Sequence, residues 1–141
     1  MAEQFDLFNQ KNLNPIDGLK EAMRVAIKTS GLSRDQVADL MNELAEKYGV
    51  PSKEGNSKGI TVDIIEKWIA PSATNLVSIK LIPIFCEATK SVAPIEVLAQ
   101  AIGGQLITGD DITLLKLAQV EQKSKELRHR KRILELQLQQ K

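Results

Sequence analysis

Aromatic residues are scarce in this sequence: three Phe, one Tyr and one Trp in 141 residues. A core built with so few rings must come from Leu, Ile, Val, Ala and Met. Apolar residues make up 43% of the chain, enough for such a core. An aliphatic composition favours helices packed through apolar stripes over a β-sandwich, whose strands prefer aromatic and β-branched residues. Cysteine is nearly absent as well. Cys86 alone cannot form an internal disulfide and gives no sign of an oxidising compartment. It lies in the apolar run Ile82–Ala88, where a packing role is expected rather than a nucleophilic one. The one histidine, His129, has no Cys or His near it in sequence, so no metal ligand set is expected. Long apolar runs are missing too; none reaches the roughly 18 residues of a membrane span. The opening residues MAEQFDLFNQKN carry acids early and no apolar stretch after them, so they do not read as a signal peptide. A cytoplasmic protein is the expectation.

Charge is balanced overall, at +1, but unevenly spread. Residues 1–109 hold 11 basic and 13 acidic side chains, whereas residues 110–141 hold 8 and 5. The balance therefore moves from −2 to +3 near Gly109. Three segments are expected: an arm over 1–13, a helical domain over 14–107 and a basic helix over 108–141. The arm contains Phe5, Leu7 and Phe8 without helical phase and is expected to pack on the domain or serve a partner.

Five helices are predicted in the domain. The first begins at Pro15 with Asn14 as cap and Asp17 at the positive end of its dipole. Leu19, Ala22, Met23, Ala26 and Ile27 form its apolar stripe, and Gly31 ends it. Ser33 and Gln36 open the second helix as a capping box. Val37, Leu40, Met41, Leu44 and Ala45 carry its stripe to about Tyr48. Gly49 and Pro51 stop it, and Ser52–Gly59 reads as an exposed loop. Thr61 caps a short third helix over Val62–Ile69, limited by Pro71, with Ile64, Ile65 and Trp68 on the core face. The fourth follows Asn75, with Leu76, Ile79, Ile82 and Phe85 inward and Pro83 kinking or splitting it. Ala93-Pro94 opens the fifth, Ile95–Ile102, which stops at Gly103-Gly104. A last helix, capped by Asp110, runs toward the C-terminus. From Ile112 to Lys141 it would span roughly 45 Å, too long for a globular core to cover on all sides.

The order of these helices, with Leu32-Ser33-Arg34-Asp35-Gln36-Val37-Ala38 opening the second, resembles the lambda-repressor/Cro-like helix-turn-helix family. The segment Ile60-Thr61-Val62-Asp63-Ile64-Ile65-Glu66-Lys67-Trp68 is similar to that family's recognition helix. Leu76–Leu98 is similar to its two closing helices. The resemblance covers about 17–102. It implies an all-α, five-helix phage-repressor-like domain in which the third helix enters the major groove, a groove wide enough for one helix. On this likeness Arg34 faces a phosphate, while Thr61, Val62, Asp63, Glu66 and Lys67 lie on the exposed side of the third helix, near bases or backbone. Two features depart from the family. A longer second helix and a loop intervene before the third helix, which puts Lys53, Asn56, Ser57 and Lys58 near the same face. The third helix also carries Asp63 and Glu66 against Lys67 alone, and acids repel phosphate while accepting from cytosine amino groups. One copy is therefore expected to bind duplex weakly.

The C-terminal helix offers a remedy. Its run Lys123–Arg132 holds six Lys/Arg and one Glu. Leu117, Val120, Leu127, Leu134 and Leu138 recur at a/d-like spacing, interrupted by Ser124 and Lys131, and polar seam residues can set register and partner number. Pairing of two copies is expected here, as the family likeness also implies. A lone exposed helix and direct DNA contact by the basic run are the other readings. No nucleophile–base pattern, glycine-rich phosphate loop or metal-ligand spacing is present, so neither an enzyme nor a cofactor is expected. The expected function is that of a transcriptional regulator binding double-stranded DNA as a homodimer, with no membrane and no small-molecule substrate. The alternative is a helical adaptor that uses the last helix to recruit a protein.

Overall fold

Local capping sets most of the helix boundaries. The computed structural model describes residues 11–53 and 58–140, which are all-helical: six α-helices, one short 3-10 turn and no strands. Phe5, Leu7 and Phe8 lie outside the described residues, as do Asn56 and Ser57. The chain divides into two units, one ending at Leu106 and the other running Ile107–Lys141.

Helix α1 spans Ile16–Ser30. Pro15 precedes it rather than opening it, and its carbonyl accepts the first helical bond, from Leu19 N at 2.8 Å. Asn14 still serves the helix start, since its Oδ1 accepts from Ile16 N at 3.2 Å. Gly31 ends α1 at φ 75°, a left-handed turn that glycine adopts without strain. In α2, Arg34–Lys47, the capping box is complete. Gln36 N donates to Ser33 Oγ at 3.1 Å, and Ser33 N donates to Gln36 Oε1 at 2.9 Å. Helix α3, Val62–Ile69, starts with Ile64 N donating to Thr61 Oγ1 at 3.3 Å. It stops where Ala70, the residue before Pro71, turns extended.

Three expectations fail in the next segment. The fourth helix does not follow Asn75: α4 is Ile82–Thr89, entered through a 3-10 turn at Ile79–Leu81. Leu76 and Ile79 are not inward. Ile79 is 84% exposed, while Val77 and Leu81 are buried in their place. An α-helical period does not hold across these residues; at Ser78 the chain is extended, and there neighbouring side chains alternate sides. Pro83 neither kinks nor divides α4. It occupies the first turn, where a missing N–H breaks no helical bond. Helix α5, Ala93–Ala101, begins with Pro94 in the same role, and Gly103 and Gly104 close it with bonds to Gln100 O and Ala99 O. Helix α6 covers Asp110–Gln139. Asp110 is not its cap; Gly109 precedes the helix, and Asp110 and Asp111 sit in its first turn facing the positive dipole end.

In the first unit α1 packs on α3, α4 and α5, and α2 packs on α3 and α4. Met23, Val37, Met41, Ile65, Leu81 and Phe85 are almost wholly removed from water. Trp68 and Ile69 join them from α3, while Ile64 is only partly buried against this core. Ala22, Leu40 and Leu44 are likewise half-buried at the stripe edges. Cys86 is buried, and burial pushes its thiol above the usual cysteine range, which suits packing rather than reactivity.

One buried cation was not foreseen. Lys20, only 2% exposed, donates from Nζ to the carbonyls of Lys67 at 3.0 Å, Trp68 at 3.0 Å and Asn75 at 2.8 Å. Burial lowers its pKa from the usual lysine range, and Asp17 nearby opposes that shift. The ammonium thereby satisfies carbonyls at the C-terminal end of α3, the negative end of that helix. Lys20→Ala should leave all three without this partner and destabilise the chain by about 3 kcal/mol. Urea unfolding reads this directly; a midpoint unchanged from the parent would contradict it.

Candidate nucleic-acid interface

A short helix exposes a useful surface only if its inner face is firmly held. Helix α3 has eight residues and three of them, Ile65, Trp68 and Ile69, are buried. The remaining positions split by chemistry. Asp63, Glu66 and Lys67 are exposed, whereas Val62, expected on the exposed side, is half-buried. Its place at the start of α3 turns the valine toward the core edge, leaving polar neighbours outside. Thr61 is exposed, and its hydroxyl oxygen is engaged as the cap.

The approach to α3 is fixed by Asn42 on α2. Its Nδ2 donates to Ile60 O and its Oδ1 accepts from Ile60 N, both at 2.8 Å. This two-point clamp satisfies the backbone of a residue that is itself buried. It also dictates the residue before: a Cβ at Gly59 would come within 2.8 Å of Asn42 Oδ1. The chain between α2 and α3 thus re-enters the core at a defined point. Lys53 and Lys58 are exposed on that connection, and Asn56 and Ser57 fall outside the described residues.

Arg34, in the first turn of α2, meets Glu66 on α3: Nη1 to Oε1 is 3.1 Å, with the side chains about half exposed. Two residues expected to face DNA therefore face each other. An exposed pair contributes only about 0–1 kcal/mol to stability, so its consequence is electrostatic. It withdraws one positive charge from the surface and blunts one acid. Among the described residues of this region, Lys53, Lys58 and Lys67 then stand against Asp35 and Asp63 as the charges in no ion pair. Glu66 gave no sign of this partner in sequence, because the two residues are 32 positions apart. Lys20 did carry a signal: it shares the phase of Met23 and Ile27 on α1. Asn42 carried none, being one polar residue among others on α2.

In the second unit, no residue of α6 is buried. Leu117, Val120, Leu127, Leu134 and Leu138 are all more than half exposed, from 53% to 71%. Within α6, Arg128 Nη2 lies 3.3 Å from Ser124 Oγ, and Lys131 Nζ lies 3.9 Å from Glu135 Oε1. His129 is exposed, and among the described residues no group of three His, Cys, Asp or Glu side chains could hold a metal ion. No helix among the described residues is long and apolar enough to cross a membrane.

The Asn42 clamp makes a local prediction. Asn42→Ala should unpair both polar groups of Ile60 and cost about 2 kcal/mol, with faster amide exchange at residues 58–61. Gly59→Ala should loosen the same contact by displacing Asn42. Exchange at Ile60 unchanged in both variants would show that the clamp does not hold α3's entry.

No family model, no curated protein and no solved structure matches this chain.

Proposed function

We propose that this chain is a DNA-binding regulator that meets duplex DNA with α3 and the start of α2, and that pairs with a second copy through α6. The observation that carries the reading is the presentation of α3. Its inner face is sunk into the core by Ile65 and Trp68 and its C-terminal end is held by Lys20. Its outer face is polar and exposed, and Lys53 and Lys58 flank its entry. A rigid helix offered this way matches what the major groove admits. Lys53, Lys58 and Lys67 suit backbone phosphate, Thr61 and Asp63 suit base edges or nearby water, and Arg34 suits phosphate once it leaves Glu66. Weak binding by one copy follows from the two acids on α3, so affinity depends on pairing. Neither catalysis nor a cofactor enters this proposal.

The Arg34–Glu66 pair and Asp63 favour a second reading, in which the same helical unit is an adaptor that docks a protein rather than DNA. The two readings separate by salt and by charge. Duplex affinity should fall steeply as salt rises, with a log–log slope of about 0.9 per phosphate neutralised. Lys58→Ala and Lys67→Ala should each weaken binding alike across sequences and lower that slope by roughly one. Glu66→Gln should tighten it, by about threefold, because it removes a repulsive charge and releases Arg34. Asp63→Asn should change preference among sequences instead. Fluorescence anisotropy with labelled duplexes measures all four. No binding even at low salt would leave the adaptor reading standing and remove the DNA-binding one.

A further inference from the structure

The proposed pairing through α6 leaves open how two copies would lie, and the charges beside the apolar seam answer that. With Leu117, Ser124, Lys131 and Leu138 in the a positions and Val120, Leu127 and Leu134 in the d positions, the flanking e and g positions are determined. Position g is basic at Lys116, Lys123 and Arg130 and ends on neutral Gln137. Position e holds Glu121, Arg128 and Glu135 after the apolar Leu114. All six charged side chains are exposed on α6.

A coiled coil brings different flanks together in its two orientations. When strands run antiparallel, g faces g and e faces e. The three basic g residues would then oppose one another. When strands run parallel and in register, each g residue faces the e residue five positions later on the partner. Lys116 then meets the partner's Glu121, and Arg130 meets the partner's Glu135. Only Lys123 against the partner's Arg128 is repulsive, and symmetry makes each contact twice. Leu127 and Leu134 supply two of the four d positions, and polar a residues such as Ser124 and Lys131 set register and partner number.

We propose that α6 forms a parallel, in-register, two-stranded coiled coil with a second copy of this chain. This rests on the pairing reading above and gives it an orientation. Both chains then enter the coil at the same end, an arrangement compatible with binding two half-sites of one duplex. The pairing is weakest at its middle, where Lys123 and Arg128 repel and where Ser124 and Lys131 interrupt the seam.

The test uses the full chain. Light scattering should give twice the monomer mass. Lys116→Glu should then raise the dimer dissociation constant about fivefold, since it sets an acid against the partner's Glu121, and adding Glu121→Lys should restore it. Thr113→Cys, at the d position before Val120, should form a disulfide with its own copy under mild oxidation, while the parent with buried Cys86 should not. A monomer mass overturns both the pairing and its orientation. A dimer that tightens with Lys116→Glu and forms no such disulfide overturns the parallel arrangement alone and leaves pairing intact.

Discussion

A single buried ammonium ties the exposed helix to the rest of the domain. Lys20 reaches from α1 across to two carbonyls at the end of α3 and one in the segment beyond it. Helix α3 has only eight residues, too few to persist alone in water, where helices shorter than about 12 residues are marginal. Its order must come from what it packs against. Trp68 and Ile65 supply the apolar part, and Lys20 neutralises the end of the helix that packing leaves polar. A lysine without partners would be costly at this depth; three carbonyl acceptors match its three donors.

The other constraints on α3 differ in weight. Asn42 fixes where the chain re-enters, through two hydrogen bonds to one residue. The Arg34–Glu66 pair is exposed and contributes little to stability, yet it touches the very surface proposed to meet DNA. Stability and the proposed recognition therefore rest on different residues. Buried Lys20 and half-buried Asn42 make the platform, while exposed Arg34, Lys58, Asp63, Glu66 and Lys67 form the surface proposed to bind.

How much of this was legible beforehand depends on the range of the interaction. The capping box at Ser33–Gln36, the Thr61 cap and the stop before Pro71 are encoded within a few residues, and the structure has them. The start of α4 is not legible because Leu76 and Ile79 continue an apolar period through backbone that is extended and then 3-10, not α-helical. Val62, expected outside, is half-buried, a matter of where on the wheel a short helix meets its neighbours. Arg34 and Glu66 each read as surface residues, but their contact spans 32 positions and leaves no periodic trace. Lys20 lay in phase with the buried stripe of α1, and its charge disguised it.

The proposed duplex-binding face can be mapped residue by residue. Titrating the isotopically labelled full chain with a short random-sequence duplex at low salt should shift backbone amide resonances at residues 33–36 and 58–67. Resonances from α5, which packs on α1 and α4, should stay in place. Shifts absent from both segments, or confined to other parts of the chain, would contradict the account.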